Sequence, residues 1–166
     1  MMRHLSPVKI TAMYHFFVRR KLRLAFADIN EGRYAGIVDA FAEPLVHVMH
    51  GHHALAGERR TLAAIDQWYA RLQRLLPDLH FRIHAVISSG WPWATRATVS
   101  WTDEFTLPDG TRGTNQGVHE FLLRWGKVRA LAVHCDTARL EGYCQYMAAT
   151  GRIEALAAPI TDGAAA

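Results

Sequence analysis

Four histidines carry most of the chemistry this 166-residue chain could perform. His50, His52 and His53 fall within Leu45 to Glu58, LVHVMHGHHALAGE, where a short apolar run meets a histidine cluster. His119 stands alone in Gly117-Val118-His119-Glu120-Phe121. Imidazole titrates near neutrality, so it can take or give a proton at physiological pH, which an unperturbed carboxylate does poorly. Alternation along a strand puts Val46, Val48 and His50 on one face, and Gly51 then turns the chain toward a helix mouth. A titratable residue there marks the rim of a pocket. His50 reads either as a general base or as a buried histidine satisfied by one backbone carbonyl. His119, with Phe121 and Leu123 on its own face, reads as a polar spot in an apolar pocket lining or as a core residue.

The cluster also invites a metal, because imidazole suits zinc, iron and copper. The HxHxxxxxE spacing from His50 to Glu58 is similar to the cupin metal motif. That motif lies on a hairpin of an all-β barrel, whereas a long helix follows here, so no metal is expected. A solvated loop is the expected place of His52 and His53. There is no Gly-x-Ser-x-Gly elbow, no cysteine at a helix start and no glycine-rich phosphate loop. Covalent catalysis and an organic cofactor therefore have no support. Trp68, Tyr69, Trp93 and Trp101 are core aromatics or, for Tyr69 and Trp101, walls for a flat apolar ligand. Arg96 and Asp103, seven apart on one strand, lie on opposite faces.

Half the residues are hydrophobic, a fifth are charged and the net charge is +4. This is the composition of an ordinary globular domain, long enough to bury a core. Apart from Arg19-Arg20-Lys21-Arg23 the basic residues are scattered singly, and that group reads as a solvated helix face. Nucleic acid is not an expected partner. No apolar run approaches a membrane span, so no membrane partner is expected either. The N-terminus lacks a signal-type apolar core and cleavage site, which points to the cytoplasm. Cys135 and Cys144 read as buried, reduced thiols.

Residues 1–15 show no clear period and are expected to form an arm. Phe16 to Asn30 fits a helix closed by Gly32, and Tyr34 to Phe41 a shorter one stopped at Glu43-Pro44. Glu58 to Leu76 carries Leu62, Ile65, Trp68, Tyr69, Leu72, Leu75 and Leu76, the stripe of a helix packed on a sheet. From Leu79 the period becomes two, giving four strands over Leu79–Ser88, Trp93–Leu107, Thr111–Trp125 and Val128–Cys135. On the second, Thr95, Ala97, Val99, Trp101 and Asp103 share a face. Asp136-Thr137 caps a closing helix, Ala138 to Ala149. Residues 151–166 are expected to be a mobile tail. Helices on one face of a curved antiparallel sheet make an α+β domain, residues 16–150, with a cavity inside.

The stretches Ile29-Asn30-Glu31-Gly32, Gly36-Ile37-Val38, Phe41-Ala42, Gly57-Glu58, Leu76-Pro77-Asp78-Leu79 and Gly126-Lys127-Val128, in this order and spacing, resemble the nuclear transport factor 2-like superfamily. That superfamily of cone-shaped α+β barrels includes ketosteroid isomerase, limonene epoxide hydrolase and the SnoaL-type polyketide cyclases. The resemblance implies a general-base position at or one residue from His50, and an oxyanion-binding position at His119. It puts Ala25 where the isomerase has a tyrosine, and Val133 where the cyclases and epoxide hydrolases have an aspartate. The expectation is a cofactor-independent isomerase- or cyclase-type enzyme doing acid–base chemistry on a hydrophobic, carbonyl-bearing molecule. His50 would be the base, His119 the oxyanion donor, and Trp68, Tyr69, Trp101, Phe121 and Val133 the substrate lining. The alternative is a non-catalytic ligand-binding or dimerisation domain, a reading that Val133 favours. A homodimer through the outer sheet faces, with Val118, Ala130 and Ala132, is expected.

Overall fold

The structure, a computed structural model, describes residues 7–162, with side chains from Thr11 onward. Helix α1 spans Pro7–Asn30. It stops where Gly32, at φ +71°, lets its own N–H reach Ile29 O and the Arg33 N–H reach Asp28 O. A left-handed glycine closing two such bonds caps the last turn. The expected arm is corrected here: residues 7–15 belong to α1, and residues 1–6 lie outside the described residues. Tyr14 bonds Thr95 and His15 bonds Ser88 and Gly90, stapling this half of α1 to the sheet. Phe16 and Phe17 point outward while Val18 and Leu22 point in, so apolar residues on both sides hide the helical period.

Helix α2, Ala35–Val38, is shorter than expected because Phe41 already enters strand β1, Phe41–Met49. Pro44 cannot donate to a ladder, and it sits where the pairing of β1 shifts register between Phe41 and Val46. Beyond that irregularity the inward residues are Leu45, His47 and Met49. The expected face of Val46, Val48 and His50 is the outer one. Slipping a strand by one residue exchanges its two faces, and that exchange moves the site.

Gly57–Arg59 forms a short strand, β2, antiparallel to β1, with Arg59 opposite His47. Helix α3 therefore starts at Leu62 rather than at Glu58, with the Thr61 hydroxyl accepting from Ala64 N. Its Ile65, Trp68, Tyr69, Leu72 and Leu75 are buried, while Leu62 in the first turn is partly exposed. The four later strands, β3 His80–Trp91, β4 Ala94–Thr106, β5 Arg112–Arg124 and β6 Lys127–Cys135, form the expected antiparallel meander. Strand β1 joins it parallel to β6, giving the order β2-β1-β6-β5-β4-β3 with two open edges. Bulges between Ile83 and Ala85 and between Leu122 and Leu123 bend the long strands around α1 and α3.

Helix α4, Thr137–Ala149, starts at its Asp136 cap as the sequence indicates. The expected mobile tail is corrected as far as Asp162. A 3-10 turn, Ile153–Leu156, buries Ala155, and Ile160 is buried beyond it. The Asp162 carboxylate accepts from the N–H groups of Arg60 and Thr61 at the mouth of α3. Residues 163–166 lie outside the described residues. Among the described residues no helix is long and apolar enough to cross a membrane.

Candidate functional site

Two cavities lie between the concave face of the sheet and the helices. The larger, ≈ 200 Å³, is walled by α1, α2 and the apolar ends of β5 and β6, with Phe26, Phe41, Phe121 and Leu131 in its lining. The smaller, ≈ 40 Å³, lies under α3 and is lined by Trp68, Trp101, Val133, Asp103 and Asn115 among others. Ile29, Tyr69 and His119 line both. The five residues expected to line the substrate are thus all cavity residues: Phe121 in the larger, Trp68, Trp101 and Val133 in the smaller, Tyr69 in both. His119 stands between the two chambers, as the inward alternation of β5 requires.

The His119 ring is buried, and Trp101 Nε1 donates to its Nδ1 at 2.6 Å. That bond fixes the tautomer, so the proton of the neutral ring is on Nε2, which no hydrogen bond engages among the described residues. Burial first, and then His134, hold the pKa of His119 down at about 3. His119 is therefore a neutral donor at pH 7, since desolvation disfavours imidazolium. Gly117 makes the arrangement possible. A Cβ there would lie 2.1 Å from His134 O and 2.7 Å from the Trp101 ring, so only glycine leaves the indole room to reach His119. Gly117→Ala is expected to cost about 1–3 kcal/mol as overpacking, read by thermal melting, and to quench or shift Trp101 fluorescence.

His50, the expected base, does not line either cavity. It is exposed on the outer sheet face, its ring 5.5 Å from that of His134. His47 takes the inward place three residues earlier. It is 0 % exposed, packed edge-on to Trp68, and accepts at Nδ1 from Arg59 Nε at 2.8 Å. Burial first, then the Arg59 charge, then His119, hold its pKa well below normal, so it too is neutral, and with its Nδ1 lone pair taken by Arg59 Nε it has no free lone pair with which to accept a proton. The His52 and His53 expectation divides. His52 is exposed, its backbone N–H donating to Glu141, but His53 is buried, bridging His50 O and Leu55 N within the loop. The three histidines do not converge on a point.

Asp103 is the acid that sequence reasoning placed on the inner face but gave no role. It lines the small cavity and also a polar cleft of ≈ 470 Å³ that His80, Arg82 and Arg139 help to line. Burial pushes its carboxyl up to about 6, opposed by the Asn115 backbone N–H, and Oδ1 is buried with no hydrogen-bond partner among the described residues. Its ladder partner is Asn115, four residues from His119 on β5. Asp103 and His119 therefore sit at the two ends of the small chamber, roughly 13 Å apart along the strand. Ala25, near where the resemblance puts the isomerase tyrosine, is in the wall of the large cavity. Tyr69 of α3 lines both cavities instead: it is buried, and desolvation raises its pKa above normal, so it stays protonated. Val133 stands opposite His119 on β6, and Asp136 is spent on the α4 cap. Cys135 and Cys144 are free thiols, each pushed up to about 11 by burial.

The family model of the SnoaL-like domain matches residues 22–131. Among solved structures of similar fold is TerC, co-crystallised with polyporic acid: 21% identical, covering 78% of this chain and 98% of that one, TM-score 0.63. An NTF2-like protein of unknown function from Burkholderia pseudomallei is 18% identical, covering 76% and 95%, TM-score 0.66. AclR, a putative hydroxylase from Streptomyces galilaeus, is 20% identical, covering 74% and 81%, TM-score 0.58. At these identities the likeness is one of fold. No curated protein matches in sequence. The matched family model, which covers most of the six-stranded curved sheet and the helices it wraps around, shows that this chain belongs to the SnoaL-like domain family, with a fold like that of NTF2-like proteins.

Proposed function

We propose that this protein is a small acid–base enzyme of the isomerase or cyclase kind, acting on a hydrophobic molecule that bears a carbonyl. One observation carries the reading: His119 borders both cavities, is held neutral, and has its Nδ1 bonded by Trp101, so that Nε2–H is left free to donate. A fixed neutral donor in a largely apolar cavity suits an oxygen on which negative charge develops. The substrate sits in the large chamber, its oxygen toward Nε2–H of His119 and O–H of Tyr69. Asp103 replaces His50 as the base. The small chamber has room for about three waters, at roughly 10–15 Å³ each. Through them the Asp103 carboxylate accepts the proton lost from the carbon next to the carbonyl, and returns it to another carbon of the same molecule. The proton count closes without a cofactor, and charge passes from carboxylate to enolate oxygen and back.

The large chamber compares with an apolar cavity of roughly 150 Å³ that holds benzene, so one or two rings is the ligand size. The test is a screen of one- and two-ring enones and aryl ketones, with polyporic acid included, for thermal stabilisation and turnover. Stabilisation without conversion of any compound supports the binding-domain reading, which Val133 in place of an acid favours. A second copy of the chain is proposed on the outer sheet face, where Val46, Val48, Val118, Ala130 and Ala132 are half-buried. Light scattering at micromolar concentration should give twice the 18.7 kDa chain mass.

A further inference from the structure

Three tryptophans stand exposed together at one end of the molecule. Trp91 and Trp93, each 52% exposed at the β3–β4 hairpin, stack at 5.4 Å and 5°, and Trp125 of the β5–β6 turn, 67% exposed, lies 6.1 Å from Trp93. The Trp125 N–H donates to Pro92 O at 2.6 Å, locking the two hairpins side by side. Trp125 holds φ +52°, a left-handed conformation that a tight turn ordinarily gives to Asn or Gly. Strain tolerated to present a large aromatic side chain to water points to a use for it. Across this end lies α1, where Lys21 Nζ donates to Gly126 O at 3.1 Å and Met13, Phe16, Phe17 and Leu24 are about half exposed.

The three segments that build this end carry charge of one sign, with Asp28 in the cavity wall and Asp39, whose backbone O accepts from Lys127 Nζ, beside them. Residues 11–27, 83–102 and 121–128 contain no Asp or Glu, but carry Arg19, Arg20, Lys21, Arg23, Arg96, Arg124 and Lys127. Among the described residues none of these seven is in an ion pair, whereas six of the ten other arginines, Arg33, Arg60, Arg71, Arg74, Arg112 and Arg139, meet Asp or Glu. The rim of the large cavity belongs to the same end, since Lys21, Leu24 and Gly126 are in its lining.

We propose that this end docks on an anionic membrane surface, with the tryptophans and Phe16–Phe17 seated at the headgroup level and the basic residues against lipid phosphates. Indole, with an apolar body and an N–H, prefers that depth, and Lys and Arg are drawn by anionic headgroups. A second copy of the chain is disfavoured here, because a two-fold contact would press seven cations against seven. The sequence expectation of no membrane partner rested on the lack of a spanning run, which bears on crossing and not on docking. Docking would set the mouth of the large cavity on the bilayer, where a hydrophobic carbonyl compound is concentrated. That last step rests on the proposed function, while the docking does not.

The test uses the full chain with vesicles of phosphatidylcholine, alone or with one part in three phosphatidylglycerol. Binding to the anionic vesicles is expected, with a blue shift of tryptophan emission, and roughly tenfold weaker binding to neutral vesicles or at high salt. W91A/W93A/W125A and, separately, R20E/R23E/R124E should each lower binding about tenfold or more while retaining the parent melting temperature, because all six side chains are exposed. Equal binding to neutral and anionic vesicles, or no loss in either variant, overturns the proposal. So does a particle mass that falls in the tryptophan variant with no vesicle binding by the parent, which makes the patch a subunit contact. No outcome depends on finding a substrate, so failed docking and failed catalysis read out separately.

Discussion

His119→Phe should lower turnover of any compound converted by the protein by about 10²- to 10³-fold, the usual loss when one oxyanion donor is removed. Phenylalanine keeps the ring among Phe26, Phe81 and Phe121 but removes Nε2–H. It also strands Trp101 Nε1, so melting should fall by the equivalent of about 1–3 kcal/mol. His119→Gln, which can both accept from Trp101 and donate onward, should lose less. His50→Gln on the outer face should change nothing. The Asp103 half of the site is read by pH. With its carboxyl at about 6, the rate should rise as pH increases through that value, and this limb should vanish in Asp103→Asn. Stability should run the other way. The folded state holds the Asp103 proton more tightly than the unfolded chain, so protonation favours folding, and this contribution declines as pH rises from the ordinary carboxylate range through about 6. Asp103→Asn should flatten that decline. If His119→Phe keeps more than a tenth of the rate, His119 is not the donor.

The second large effect is structural and falls on Arg59. This side chain is 0 % exposed and, among the described residues, is in no ion pair. Its guanidinium donates to His47 Nδ1, Ala56 O, Ile160 O and Gly57 O, and lies 5.3 Å over the Trp68 ring. Burial lowers its pKa to about 10, which leaves it charged at neutral pH. Arg59→Leu would leave three carbonyls and a histidine nitrogen unpaired where water does not reach. A loss of about 3–5 kcal/mol is expected, as for breaking a buried charged cluster. For a chain of this length that is a melting temperature lower by roughly 6–20 °C. Arg59→Lys should not restore it, because an ammonium cannot reproduce the planar fork that spans β1, β2 and the C-terminal segment. A drop of less than about 3 °C would show that Arg59 does not hold these three elements together.

Some of this was legible from residue order alone. Period two from Leu79 to Cys135 specifies a meander, and turn residues such as Pro108-Asp109-Gly110 fix its hairpins locally. The stripe of Ile65, Trp68, Tyr69, Leu72 and Leu75 specifies a helix with one buried face. Alternation likewise sent His119, Phe121, Trp101 and Asp103 inward, because an unbroken strand leaves each side chain a single choice of face. What the sequence could not decide turns on features without a local signal. Which face of β1 is buried depends on the shifted pairing at Pro44, and that one step exchanges His50 for His47. Arg59 is an ordinary polar residue by composition. Only the pairing of β2 with β1 and the return of Ile160 from a hundred residues away bury it. The pKa of Asp103 is likewise set by burial between α4 and the sheet, which no neighbour in sequence records. Local periodicity determines which elements form and which way most of them face. The titration and partners of a buried group depend on everything packed around it, and for His47, Arg59 and Asp103 only the tertiary structure brings those surroundings together.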